Sequence, residues 1–88
     1  MIVRIDKSFE KDTKKIKDKK ILNKLANLIE QMQAAQGLDE VNHLKKLKGY
    51  ATYYRIRLGT YRIGISVEED KVDFIRFLPR KDIYKNFP

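Results

Sequence analysis

Apolar positions along the chain recur with two periods, and the change between them falls near residue 53. Upstream the period is helical. From about Asp18 to Gln36, Ile21, Leu25, Leu28 and Met32 fall at i, i+4, i+7 and i+11, flanked by Leu22 and Ile29. That spacing predicts an amphipathic helix with a broad apolar stripe. Gly37 is its predicted stop, being suited to the left-handed position after a helix end. A shorter, very basic helix is predicted before it, capped by Ser8, with Phe9, Thr13 and Ile16 near one face. Ile2-Val3-Arg4-Ile5 reads as a first strand. Asp39 is expected to cap a short further turn running through Val41 and Leu44.

Downstream the period is two. Tyr53 to Leu58, Tyr61 to Val67 and Val72 to Leu78 read as three strands of a meander. Gly59-Thr60 is a Gly-X connection suited to a type II′ hairpin turn. Glu68-Glu69-Asp70-Lys71 forms the second turn. Pro79 ends the last strand, and residues 81–85 have room for one helical turn. The fold class is therefore α+β: an N-terminal strand, two helices, then an antiparallel three-stranded meander, with the helices packed on one sheet face.

The hairpin fixes where charge goes. A turn at Gly59-Thr60 pairs Leu58 with Tyr61, Arg57 with Arg62, Ile56 with Ile63 and Arg55 with Gly64. Tyr54, Ile56, Leu58, Tyr61, Ile63 and Ile65 then share one apolar face that must lie under the helices. Arg55, Arg57 and Arg62 gather on the other face, with Gly64 and Ser66 leaving room beside them. Like charges directly opposite on a sheet are destabilising, so three arginines with no acid in reach point to an anion site rather than to fold stability. Arginine also favours bidentate contact with phosphate. The third strand allows two registers. A four-residue turn at 68–71 pairs Ile63 with Arg76 and puts Arg76 on the core face; a bulge or a different turn length moves Arg76 outward and Phe77 inward.

Composition sharpens this picture. The 88 residues suffice for one domain with a small core. The net charge of +8 is unevenly placed: residues 41–67 hold Lys45, Lys46, Lys48, Arg55, Arg57 and Arg62 and no acid. A polyanionic partner is the expected consequence. The absence of cysteine excludes disulfides and thiolate metal sites. The opening Met-Ile-Val-Arg-Ile does not resemble a signal peptide, and no apolar run is long enough to span a membrane. The expected location is the cytoplasm. His43 is the only histidine, so neither a paired-histidine nuclease nor a histidine-rich metal site is available; it is expected on a partly exposed helix end. No Gly-rich phosphate loop is present, and Ser8 and Ser66 lack a base partner.

The segment Leu47-Lys48-Gly49-Tyr50, the block from Tyr54 through Arg55-Ile56-Arg57-Leu58-Gly59-Thr60-Tyr61-Arg62 to Ile63-Gly64-Ile65, and the closing Pro79-Arg80-Lys81-Asp82-Ile83-Tyr84 together resemble the RelE branch of the RelE/ParE toxin superfamily. The resemblance covers nearly the whole chain. It implies a single RelE-like domain over residues 1–88, the toxin of a type II toxin–antitoxin pair, acting as a ribosome-dependent endoribonuclease on mRNA in the ribosomal A site. It also implies a cognate antitoxin as partner and no cofactor or metal. Gyrase inhibition of the ParE kind, without nuclease chemistry, is the alternative.

Residue by residue, the resemblance places Arg62 on the strand arginine that contacts the scissile phosphate. Arg55 and Arg57 fall on the basic pair of the preceding strand, and Lys46 and Lys48 join them as RNA-binding candidates. Arg80 and Tyr84 fall on the arginine and tyrosine of the family's C-terminal motif. Pro79 departs from that motif, standing where many relatives carry histidine. Arg62, Arg80 and Tyr84 are thus the candidate catalytic residues. Tyr84 is the candidate base; its alternative role is to pack the C-terminal turn on the sheet.

Overall fold

The computed structural model describes residues 1–88. Its elements are β1 (Ile2–Ile5), α1 (Lys7–Lys14), α2 (Lys19–Ala34), a 3-10 turn (Leu38–Glu40), β2 (Leu44–Lys46), β3 (Tyr53–Leu58), β4 (Tyr61–Glu68), β5 (Lys71–Pro79) and α3 (Arg80–Asn86). The sheet has five strands in the order β1-β5-β4-β3-β2. Only the β1–β5 pair is parallel. The α+β class, the N-terminal strand and the meander stand as expected, with one further edge strand, β2, added. No helix is long and apolar enough to cross a membrane.

The predicted stripe of α2 is the buried one: Ile21, Leu25, Leu28 and Met32. Asp18 caps the helix, its Oδ1 accepting from the amides of Lys20 at 2.9 Å and Ile21 at 3.4 Å. Phe9 of α1 packs edge-on to Phe74 and stacks on Phe77, with centroids 5.4 and 5.8 Å apart. These helices cover the face formed by Ile56, Ile63, Ile65, Val72, Phe74 and Phe77. Three local expectations change. Asp6, not Ser8, takes the N-cap position of α1, without a side-chain cap. Gly37 does not terminate α2, which ends at Ala35 in extended backbone, while the Met1 ammonium donates to the carbonyls of Met32, Gln33 and Ala35. Leu44 is in a strand, not in a helical turn.

The open register resolves through a bulge. Val67 pairs with Val72 and Ile65 with Phe74, as a four-residue turn requires, but Gly64 then pairs with Arg76 and Ile63 with Phe77. Ile75 is the extra residue. It turns to the opposite sheet face, where it packs with Tyr53 and Leu78 on a second cluster of Leu47, Ile83 and Phe87. That cluster is the seat of α3, so this third helix lies across the sheet from α1 and α2. Gly64 makes the seat by lacking a side chain: a Cβ there would come within 2.5–2.7 Å of the Phe87 ring. The room beside Gly64 is thus occupied by aromatic packing, not left free for the arginines.

The bulge occurs where β5 loses its parallel neighbour. β1 pairs with β5 only from Lys71 to Phe74, and α1 serves the backbone beyond. The Ser8 hydroxyl donates to the Ile75 carbonyl at 2.6 Å, and the Phe77 amide donates to Asp12 Oδ2 at 2.9 Å. Asp12 also receives Nε and an Nη of Arg76, at 2.8 and 3.1 Å. Its side chain is 3% exposed.

Two outcomes follow from this packing. Asp12→Ala strands a buried amide and a partly buried guanidinium, and should cost about 3 kcal/mol of stability in a denaturant titration; Asp12→Asn, which keeps an acceptor for the Phe77 amide, should lose less. Gly64→Ala should cost about 1–3 kcal/mol through overpacking. Its NMR shift changes should concentrate in α3.

Candidate nucleic-acid interface

Three elements build the basic face: the β3–β4 hairpin, the end of β2 nearest it, and α3. Gly59 has φ +60 while Thr60 stays out of the positive-φ region, the pattern of a type II′ turn. The tight turn locks the register that sets Arg57 opposite Arg62 and Arg55 opposite Gly64. The arginines therefore converge as expected.

What holds each guanidinium is a neutral partner. Arg62 Nη1 donates to the carbonyls of Gly59 at 3.0 Å and Tyr61 at 2.8 Å, so the hairpin tip orients its own arginine. An Nη of Arg57 lies 2.9 Å from His43 Nδ1. Arg55 lies over the Tyr84 ring, 4.6 Å from its centroid, a cation–π arrangement. A cleft of about 330 Å³ opens between them, lined by His43, Leu44, Lys45, Arg55, Arg57, Arg62 and Tyr84. No acidic side chain lines it.

The C-terminal pair is assembled by α3. Ile83 is fully buried in the small cluster, and the next residue, Tyr84, is exposed and turns its ring toward Arg55. The Arg80 amide donates to the Thr60 carbonyl at 3.0 Å, fastening the start of α3 to the hairpin tip. The Tyr84 hydroxyl lies below the usual phenol range: hydrogen bonding with Arg80 is the largest cause, opposed by desolvation, and the charges of Arg80, Arg55 and Arg62 lower it further. Each of these cations favours the phenolate. Arg80 also shares a neighbouring depression with Gly59, Thr60, Arg62, Pro79 and Lys81. Pro79 occupies the N-cap position of α3 and has no group to donate or accept a proton there.

Two lysine expectations fare differently from the arginines. Lys46 pairs with Tyr54, so strand alternation aims it to the helix-covered face; Lys45, opposite Arg55, takes the place in the cleft. Lys48 is exposed in the turn after β2 and does not line the cleft. His43, expected on a helix end, instead precedes β2 with φ +63, and its carbonyl accepts from the Arg57 amide at 3.1 Å. Such a backbone is uncommon for a side-chain-bearing residue and is a recurrent mark of functional positions. The signal for Lys45 was its place across from Arg55 in the strand pairing; His43 lies just outside β2, where alternation gives no signal. With no β-branched residue and two lysines, Leu44–Lys46 gave little strand signal.

One electrostatic prediction belongs to this geometry. Arg80→Ala should raise the Tyr84 pKa toward the ordinary tyrosine value of about 10, as followed by NMR of the labelled ring. A lysine-to-alanine change at Lys14 should leave it unmoved.

The chain as a whole is similar to known proteins. A family model described as the ParE toxin of the type II toxin-antitoxin system parDE matches residues 3–84. Toxin RelE3 of Methanocaldococcus jannaschii is 44% identical over 89 residues, spanning 100% of both chains. A chain in the crystal structure of a RelB-RelE antitoxin-toxin complex from Methanococcus jannaschii superposes with a TM-score of 0.81 at 43% identity, covering 96% of this chain and 98% of that one. The YoeB dimer of Staphylococcus aureus shares the fold at 20% identity, with a TM-score of 0.72 and coverage of 89% and 94%.

Proposed function

Because the chain belongs to the RelE/ParE superfamily of type II toxins, we propose that this RelE-type toxin acts as one domain and cleaves messenger RNA in the ribosomal A site. The observation that carries the reading is the acid-free cleft in which Arg55, Arg57 and Arg62 meet Tyr84, whose hydroxyl Arg80 holds below the usual phenol range. The chemistry is transesterification without a metal. The RNA 2′-oxygen attacks the adjacent phosphorus in line, and its proton passes to the Tyr84 phenolate. The bond from phosphorus to the 5′-oxygen breaks, leaving a 2′,3′-cyclic phosphate, and the departing oxygen takes a proton from water. Arg62, with Arg57 and Arg80, stabilises charge gathering on the phosphoryl oxygens. Arg55 holds the Tyr84 ring in place.

The lowered Tyr84 pKa supports the base assignment, since a phenol left at its ordinary value is almost wholly protonated near neutrality. The exposed, shallow site has little with which to orient a flexible RNA, and this fits dependence on the ribosome to present the message. The M. jannaschii relative is held by RelB in its crystal; by analogy a cognate antitoxin carrying acids neutralises residues 41–67 here. The second reading is gyrase inhibition, supported by the ParE description of the matching family model.

Paired substitutions separate the two. Arg62→Ala should lower ribosome-dependent cleavage on the order of a hundredfold, the usual effect of losing one transition-state donor. Tyr84→Phe keeps the ring and removes the titratable hydroxyl. It should abolish growth arrest and flatten the rise of cleavage rate with pH, a rise that in the unsubstituted protein levels off below the ordinary phenol pKa. Lys14→Ala should cleave normally. Undiminished A-site cleavage by both site variants would remove Arg62 and Tyr84 from the mechanism; no cleavage by the unsubstituted protein, with loss of gyrase supercoiling in a parallel assay, would transfer the assignment to the gyrase reading.

A further inference from the structure

Residues 7–24 contain eight lysines, and most have the look of a solvated helix back. Lys24 is different. Together with His43, Arg57, Leu58 and Gly59 it lines a second depression of about 470 Å³. His43 and Arg57 also line the arginine cleft, so the two depressions share the hydrogen-bonded Arg57–His43 pair. No acid lines either one, and the ion pairs of the molecule, Arg4–Asp73 and Arg76–Asp12, lie elsewhere. Lys24 thus brings an uncompensated ammonium from the helix layer to the edge of a site otherwise built by strands.

We propose that this second depression holds the phosphodiester next to the scissile one. The inference rests on the reading of the arginine cleft as an RNA site and extends it to a second phosphate. Three features fit that ligand. Lys24 supplies a compact cation on a flexible stem, suited to a phosphate whose position need not be exact. His43 supplies a directed donor: with Nδ1 accepting from Arg57, the ring hydrogen lies on Nε2. Leu58, half-buried, and the side-chain-free Gly59 form a low apolar wall against which a sugar edge rests. Arg57 then stands between two phosphates and is fixed there by His43, which sets the step of the strand across the hairpin tip. The positive φ of His43 follows as the bend that lets one residue serve both depressions.

The test uses two ligands that cannot be cleaved because their nucleophile is methylated: a 2′-O-methyl dinucleotide with one phosphate and a trinucleotide with two. Binding is followed by NMR titration over a range of salt. Lys24→Gln should weaken the trinucleotide and reduce its logarithmic salt slope by about 0.7, the value for one single-strand phosphate contact. It should leave the dinucleotide unchanged. Lys14→Gln, an equal loss of charge on α1, should alter neither. Equal weakening of both ligands by Lys24→Gln would mean a general field effect and overturn the second subsite, as would no effect on either. In both cases a loss of dinucleotide binding in Arg62→Ala would leave the RNA reading of the main cleft intact. Failure of the unsubstituted protein to bind either ligand, together with normal ribosomal cleavage by Arg62→Ala, would overturn both readings.

Discussion

The Asp12 carboxylate joins a helix, an unpaired sheet edge and a strand irregularity at one buried point. β1 ends too early to cover β5, and an exposed β5 edge here would leave the Phe77 amide without an acceptor inside the core. Asp12 receives that amide and the Arg76 guanidinium together, so its charge is both hydrogen-bonded and paired, the condition under which a buried carboxylate is tolerated. The bulge it stabilises changes the parity of β5. Val72, Phe74 and Phe77 enter the main core, while Ile75 goes to the other face and helps seat α3. One strand therefore serves two cores. Without the change of parity α3 has a smaller apolar seat, and Tyr84 has no fixed relation to Arg55.

This dependence explains which parts of the molecule were legible in its residues. The β3–β4 hairpin is a local object: Gly59, strict alternation and apolar bulk fix its turn, register and faces, so the convergence of Arg55, Arg57 and Arg62 follows from neighbours in sequence. The α2 stripe is legible for the same reason. The bulge is not. It depends on where β1 stops and on Asp12, 65 residues before Phe77 in the chain, and alternation alone permits either register. β2 is similarly obscured, since a three-residue edge strand with two lysines carries little of the usual strand signal. That is why Lys46 rather than Lys45 was the expected RNA-binding lysine of this stretch, and why His43 was expected on a helix end. Tyr84 was legible only through resemblance, because α3 is held by tertiary contacts and is too short to declare itself by periodicity.

Five of the chain's six arginines divide by the nature of their partners, and the division separates structure from site. Arg4 and Arg76 pair with Asp73 and Asp12; their charges are spent within the fold. Arg55, Arg57 and Arg62 are held by an aromatic face, an imidazole nitrogen and two backbone carbonyls. Each such partner fixes direction without cancelling charge. A carboxylate in the same place would orient the guanidinium as well, but would compete with the incoming anion and would have to be displaced. Neutral anchors leave the positive potential intact and already aimed, which is what electrostatic stabilisation of a developing phosphoryl charge requires. The cost is mutual repulsion across the Arg57–Arg62 pair. It falls on a hairpin whose opposite face is buried at Ile56, Ile63 and Ile65, where apolar burial offsets it, and a polyanion occupying the cleft would relieve it. The same repulsion gives an acidic protein partner an electrostatic reason to bind this face, so the proposed catalysis and its neutralisation would draw on one reservoir of uncompensated charge.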